Sequence, residues 1–149
     1  MNSLCKSSIT AALLSLLLVE GVNAQTSYQT VDTERLHSMV VDNAYKLEGG
    51  QPTENTVIDT RTPEKYRQGH IFSAINIQVC DLPLQSLMLP QDPGAPIVLY
   101  GDDNQIGDTR VFLTLLTQAG FTNIRIYPEP FSVWKGKHLP VVEPKTETP

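Results

Sequence analysis

The sequence predicts an α/β fold, an open parallel sheet flanked by helices on both faces. Three observations carry that expectation. Short runs rich in β-branched residues alternate along the chain with segments of helical spacing, the pattern of parallel strands joined by helices. Residues 96–121 hold one complete unit of it: the apolar run Ile97-Val98-Leu99-Tyr100, of the kind covered on both faces, then a polar stretch with two glycines, then an apolar helical run closing at Gly120. The 149 residues suffice for one domain with its own core, and no internal repeat or second domain is visible.

Taken in order, the chain opens with residues that do not belong to that domain. Lys6 gives a weakly basic start, residues 9–19 are an apolar run of eleven, and Val22-Asn23-Ala24 places small residues before Gln25. This pattern predicts a secretory signal peptide over residues 1–24, with an exported product, periplasmic or secreted. A membrane anchor fits less well, because the run is shorter than the roughly 20 residues a spanning helix needs and Glu20 ends it. Residues 25–53 read as a polar and helical extension packing on the domain. Asp32 or Thr33 caps a helix in which Leu36, Met39, Val40 and Tyr45 recur at helical spacing, and Gly49-Gly50 ends it.

The domain itself is expected over residues 54–142. Thr56 to Asp59 reads as a strand. Thr62 caps a short helix with Pro63 at its first position, where the missing N–H costs nothing, and Gly69 stops it. Residues 74–77 form another strand, 82–89 one or two helical turns between prolines, and 91–96 a turn-rich linker. After the central strand, Asp108 or Thr109 is expected to cap the helix running to Gln118, with Gly120 at its C-terminal end. Ile124 to Tyr127 is the last clear strand, Phe131, Val133 and Trp134 form a terminal helical turn, and residues 139–142 lie back on the core. The polar tail, 143–149, is expected to fray.

Composition bounds the partners. The net charge of −5 survives loss of residues 1–24, which removes Lys6 and Glu20 together. With no basic cluster to neutralise phosphates, nucleic acid is not an expected partner, nor is a membrane once the signal is removed. Removing the signal also takes Cys5 and leaves Cys80 alone, so the mature chain is expected to hold no internal disulfide.

Three segments together resemble a rhodanese domain. The first is Val57-Ile58-Asp59-Thr60-Arg61-Thr62-Pro63-Glu64-Lys65-Tyr66-Arg67-Gln68-Gly69-His70-Ile71-Phe72-Ser73-Ala74-Ile75-Asn76-Ile77. It departs from the family pattern at Phe72-Ser73, where Pro-Gly is preferred. The second is the strand, loop and helix of residues 97–121. The third is residues 124–141, where Trp134 and Leu139-Pro140-Val141 fall at the family's spacing and Glu129-Pro130 replaces a Gly-Gly pair. The resemblance implies a rhodanese-like open sheet over roughly residues 54–142.

It also implies a chemistry. A working sulfurtransferase of the family puts a Cys directly after the central strand, takes a sulfane sulfur onto its thiolate, and passes it to an acceptor. Such a thiolate needs a lowered pKa, inward-pointing amides and usually a loop Arg. Here that position is Gly101, which has no side chain to carry sulfur, and the sixth position of the loop is Ile106 rather than a cation. Asp102, Asp103 and Asp108 put carboxylates where the family attracts anions, so they are expected to repel thiosulfate or phosphate. A phosphatase of this fold fails on the same two missing groups.

The expected function is therefore a non-catalytic, exported, rhodanese-like module that binds a small ligand or an exported protein. Its recognition loop is taken as Gly101, Asp102, Asp103, Asn104, Gln105, Ile106, Gly107, Asp108, Thr109 and Arg110, supported by Asp59, Arg61 and His70. Asp59 and Arg61 are expected to order neighbouring loops, His70 to make a structural hydrogen bond, Trp134 to anchor the core, and Arg110 to be a solvated first-turn residue. No cofactor or metal is expected. The acidic loop has clustered oxygens suited to Ca²⁺ but not the alternating ligand pattern of a helix-loop-helix calcium site. A sulfurtransferase using Cys80 as a relocated thiol is the alternative, although no His or Lys adjoins Cys80 in sequence to lower its pKa.

Overall fold

The β-branched runs pair as expected in the computed structural model, which describes residues 28–51, 53–82, 85–102 and 106–144, with residues 106 and 107 described in backbone only. The expected signal peptide, loop residues Asp103, Asn104 and Gln105, and tail residues 145–149 lie outside the described residues. Seven strands form among the described ones: β1 (Gln29–Thr30), β2 (Thr56–Asp59), β3 (His70–Ile71), β4 (Ile75–Asn76), β5 (Ile97–Tyr100), β6 (Ile124–Ile126) and β7 (Val141–Val142). Five of them make one parallel sheet in the order β1-β6-β5-β2-β4. β3 and β7 pair antiparallel as a separate ribbon. Neither β1 nor this ribbon is foreseen as strand, because two residues are too few to show an alternation.

Four α-helices among the described residues cover the sheet: α1 (Thr33–Glu48), α2 (Pro63–Gln68), α3 (Ile106–Gln118) and α4 (Phe131–Gly136). The strand's period of two sorts the core into two layers. Ile97 and Leu99 of β5 face Phe112, Leu113 and Leu116 of α3, together with Ile58, Ile124 and Ile126. Val98 and Tyr100 face the other way, into Val57 of β2, Leu36, Met39 and Val40 of α1, and Phe131 and Trp134 of α4. All four residues of β5 are fully buried, as a strand covered on both faces must be.

Capping residues set the helix ends. Asp32 accepts from the Arg35 amide at 2.7 Å to open α1, and Thr62 caps α2 with Pro63 inside its first turn. Both long helices close on a left-handed glycine, Gly50 (φ 68°) and Gly120 (φ 97°). Paired reversed hydrogen bonds accompany each: Gln51 N to Lys46 O at 2.8 Å with Gly50 N to Leu47 O, and Phe121 N to Leu116 O at 3.1 Å with Gly120 N to Thr117 O.

Three local expectations are corrected. α3 starts at Ile106, so Asp108 and Thr109 stand in its first turns and are not its cap, and residues 106–110 are helix rather than loop. Tyr45 is 80% exposed. The buried stripe of α1 runs Leu36, Met39, Val40, Asn43, and its fourth member is polar, which hides it from a hydrophobic count. Asn43 belongs there because its Nδ2 donates to the Asn55 carbonyl and to Ser73 Oγ, each at 2.9 Å. That second bond holds Ser73 at φ 64°, the left-handed conformation that costs a non-glycine residue about 1–2 kcal/mol.

The topology also locates a crevice. β2 and β5 are neighbours, but the chain leaves β2 toward β4 and leaves β5 toward β6, on opposite sides. The strand order therefore reverses between their C-terminal ends, the place where open α/β sheets receive ligands.

Trp134 should report on the α4 side of the core. It is fully buried, donates from Nε1 to the Pro140 carbonyl at 3.0 Å, and meets Tyr127 edge-on at 5.9 Å. Trp134→Ala is expected to lower the unfolding free energy by about 3–5 kcal/mol, measured by urea denaturation.

Candidate functional site

The crevice is built from the last residues of two paired strands and the two residues that come after each. Parallel register sets Asp59 beside Tyr100, so the next residues, Thr60-Arg61 and Gly101-Asp102, form its floor. The Tyr100 carbonyl, the last before Gly101, accepts from both the backbone N and Oγ1 of Thr60 at 3.0 Å. Thr60 Oγ1 lies 3.4 Å from Oγ1 of Thr109, a buried residue of α3. Beside them, Gly101, Asp102, Thr109 and residues 127–130 enclose about 20 Å³, room for about one water molecule.

Beneath this floor lies a buried charge pair. Asp59 is fully buried and Arg61 is 4% exposed. The Arg61 Nε and Nη2 donate to the Asp59 carboxylate at 2.6–3.1 Å, and Nη2 also donates to the Gly69 carbonyl at 2.7 Å. The Arg61 amide donates to Asp59 Oδ1 at 2.9 Å. The Tyr100 hydroxyl donates to Asp59 Oδ2 at 2.6 Å and accepts from the Ile71 amide at 3.1 Å. Asn76 Nδ2 donates to the carbonyls of both Asp59 and Arg61. The guanidinium lies 4.1 Å from the centre of the Phe131 ring and 5.6 Å from that of Tyr100, so its faces are covered by aromatic carbon.

These contacts set the protonation states. Burial works against the Arg61 charge, but the hydrogen bonds and charge of Asp59 outweigh it and hold the guanidinium above its ordinary value. Burial first, then the Asp59 charge, push the Tyr100 phenol well above its ordinary 10.0. Burial also raises Tyr66 and Tyr127. The network is a fixed anchor in which the two charges are paired.

The expected site residues divide accordingly. Asp59 and Arg61 order the neighbouring turns, as expected. His70 makes its structural contact, Nδ1 at 2.9 Å from the Tyr66 carbonyl with the two rings stacked at 3.7 Å. Gly101, Asp102 and Thr109 meet at the crevice. Arg110 is exposed but not merely solvated: its Nη2 donates to the Tyr28 hydroxyl at 3.0 Å and its guanidinium lies over that ring. Asp108 is exposed on α3. The expectation that the loop carboxylates simply repel anions is corrected for Asp102. Its Oδ2 pairs with Lys65 Nζ of α2, and its Oδ1 stands 4.0 Å from Arg61 Nη1. Lys65 and Tyr100 are functional neighbours that sequence reasoning missed. Lys65 lies 37 positions from Asp102, and no local pattern announces such a pairing.

Cys80 sits in the 3-10 turn Val79–Asp81 beyond β4 and is disulfide-bonded in the full 149-residue chain; the expectation of a lone Cys80 concerns the chain after loss of residues 1–24, which hold the other cysteine of the sequence. Among the described residues no group of three or more His, Cys, Asp or Glu is placed to hold a metal. None of their helices is long and apolar enough to cross a membrane.

Known proteins share both sequence and fold with this chain. Residues 35–137 match the Rhodanese-like domain family, a match that begins within α1. A relative from Buchnera aphidicola, named only as an uncharacterized protein, is 25% identical over 108 residues, 70% of each chain. The crystal structure of the Alr3790 protein from Anabaena sp. is 26% identical and aligns with a TM-score of 0.59 over 78% of this chain and 94% of that one. The thiosulfate sulfurtransferase from Pseudomonas aeruginosa shares the fold, with a TM-score of 0.61 at 15% identity over 77% of this chain and 20% of its own.

The buried network makes two measurable demands. Asp59→Asn leaves the Arg61 charge buried without its partner, and is expected to destabilise the fold by about 3–5 kcal/mol in urea unfolding. The pH dependence comes from Tyr100. The unfolded phenol loses its proton near 10.0 and the folded one well above, so above that pH the unfolded chain binds fewer protons and stability falls. The melting temperature should drop between about pH 9 and 11, and Tyr100→Phe should flatten the part of that drop due to this residue.

Proposed function

The chain belongs to the rhodanese-like domain family, and we propose that it is an exported member without a sulfur-carrying nucleophile, acting as a binding module. Its recognition surface is the crevice beyond β2 and β5 with the described crevice residues Gly101, Asp102 and Thr109, and its partner is a small ligand or an exported protein. The observation that carries this reading is Gly101, directly after the buried strand β5, where the family resemblance places a thiolate. A backbone position without a side chain forms no persulfide. Export rests on the basic start, apolar run and small-residue cleavage site of residues 1–24.

The setting of Gly101 supports the same reading. Activation of a thiolate there would call for a positive surrounding. The adjacent Asp102 instead takes up the charge of Lys65 and approaches Arg61. The alternative, a sulfurtransferase using Cys80, requires that sulfur as a free thiolate, and no His or Lys adjoins Cys80 in sequence to lower its pKa.

Thiosulfate-to-cyanide transfer by the chain beginning at Gln25, read as thiocyanate, tests both. No turnover is expected. Turnover abolished by Cys80→Ser would establish the relocated thiol, and turnover that survives that substitution would overturn the inactive reading altogether.

A further inference from the structure

Asp102 is the one carboxylate of the expected recognition loop with a described partner of opposite charge, and it has two. Its oxygens are divided between them, Oδ2 on Lys65 Nζ and Oδ1 4.0 Å from Arg61 Nη1. The two cations reach it from different elements, Lys65 from α2 and Arg61 from the turn after β2. Arg61 is not free to move away. Its Nε and Nη2 are committed to Asp59 and the Gly69 carbonyl, and its plane is held against Phe131. The remaining Nη1 edge is thereby fixed toward the crevice mouth. Lys65, half exposed, has a flexible stem that tracks whatever anion stands there.

From this arrangement we propose that Lys65 and Arg61 form a seat for a small oxyanion, occupied in this state by the chain's own Asp102. The contact is autoinhibitory: an incoming anion binds by displacing the Asp102 carboxylate, a group of the same charge and similar oxygen spacing. Held at high effective concentration by its own backbone, the internal carboxylate outcompetes dilute external ones. In a chain of net charge −5, such a plug also keeps the seat closed to abundant simple anions, so a ligand must bring further contacts to open it. The inference deepens the binding-module reading, since it gives that crevice a ligand class and a gate.

Inorganic sulfate serves as the probe, titrated calorimetrically into the chain beginning at Gln25 at low ionic strength. Asp102→Asn, which empties the seat of its competing charge while keeping the side chain's shape, is expected to bind sulfate about tenfold or more tightly than the unsubstituted chain. Adding Lys65→Gln to it should remove the gain. Glu48→Gln makes the same change in net charge at the exposed end of α1, away from the crevice, and should leave sulfate affinity unchanged. Asp102→Ser provides a second way to empty the seat if the first variant folds poorly, which its far-ultraviolet circular dichroism would reveal. Equal gains in the Asp102 and Glu48 variants, or no gain in a folded Asp102 variant, would overturn the proposal. Neither result touches the absence of sulfur transfer, which the thiocyanate assay decides independently.

Discussion

A single ion pair holds the working end of this molecule together. Asp59 and Arg61 are two residues apart, yet their contacts reach Tyr100 of β5, Gly69 at the end of α2, Phe131 at the start of α4 and Asn76 of β4, and through the Tyr100 hydroxyl the Ile71 amide of β3. Two charges without water are costly unless every donor and lone pair is matched. Here the Tyr100 hydroxyl, the Arg61 amide and the Gly69 carbonyl supply matching groups. The pair thus specifies geometry more than it adds stability: each partner must be in place for the charge to be tolerable, so the turns at the crevice have one arrangement.

This constraint makes the scaffold independent of the residue that follows β5. The anchor lies below the crevice floor and does not depend on the side chain at the position after β5. A glycine at position 101 leaves Asp59, Arg61 and Tyr100 unaffected, because the Tyr100 carbonyl is held from the other side by Thr60. The fold therefore persists when the residue above it changes. Similarity of fold to a thiosulfate sulfurtransferase consequently speaks to the sheet alone, and leaves the groups at the sheet's edge to be judged on their own chemistry.

Much of this was legible in the chain. Four of the five strands of the central sheet, the Asp32 and Thr62 caps, the glycine stops and the buried Trp134 all derive from periodicity and from the local chemistry of single residues. What escaped was non-local or polar. Asn43 occupies a core position of α1 that only its distant partners Asn55 and Ser73 justify. The pairing of Lys65 with Asp102 depends on two elements meeting, and Tyr100 reads as an apolar strand residue until its hydroxyl is seen on Asp59. The early start of α3 shifts Asp108 and Thr109 from a cap into the helix, a boundary error of the size that fraying and alternative caps produce.

The pairing of β1 with β6 has a further consequence for how the molecule assembles. Gln29 stands opposite Arg125, and the buried stripe of α1 packs in the same cluster as Tyr127 and Trp134. During synthesis the sheet partner of β1 arrives only with β6, and the Tyr127 and Trp134 part of the surface under α1 only after it. Closing so long a loop is entropically slow. In that interval the apolar stripe of α1 is incompletely covered, which makes it a place where a partly folded chain exposes aggregation-prone surface.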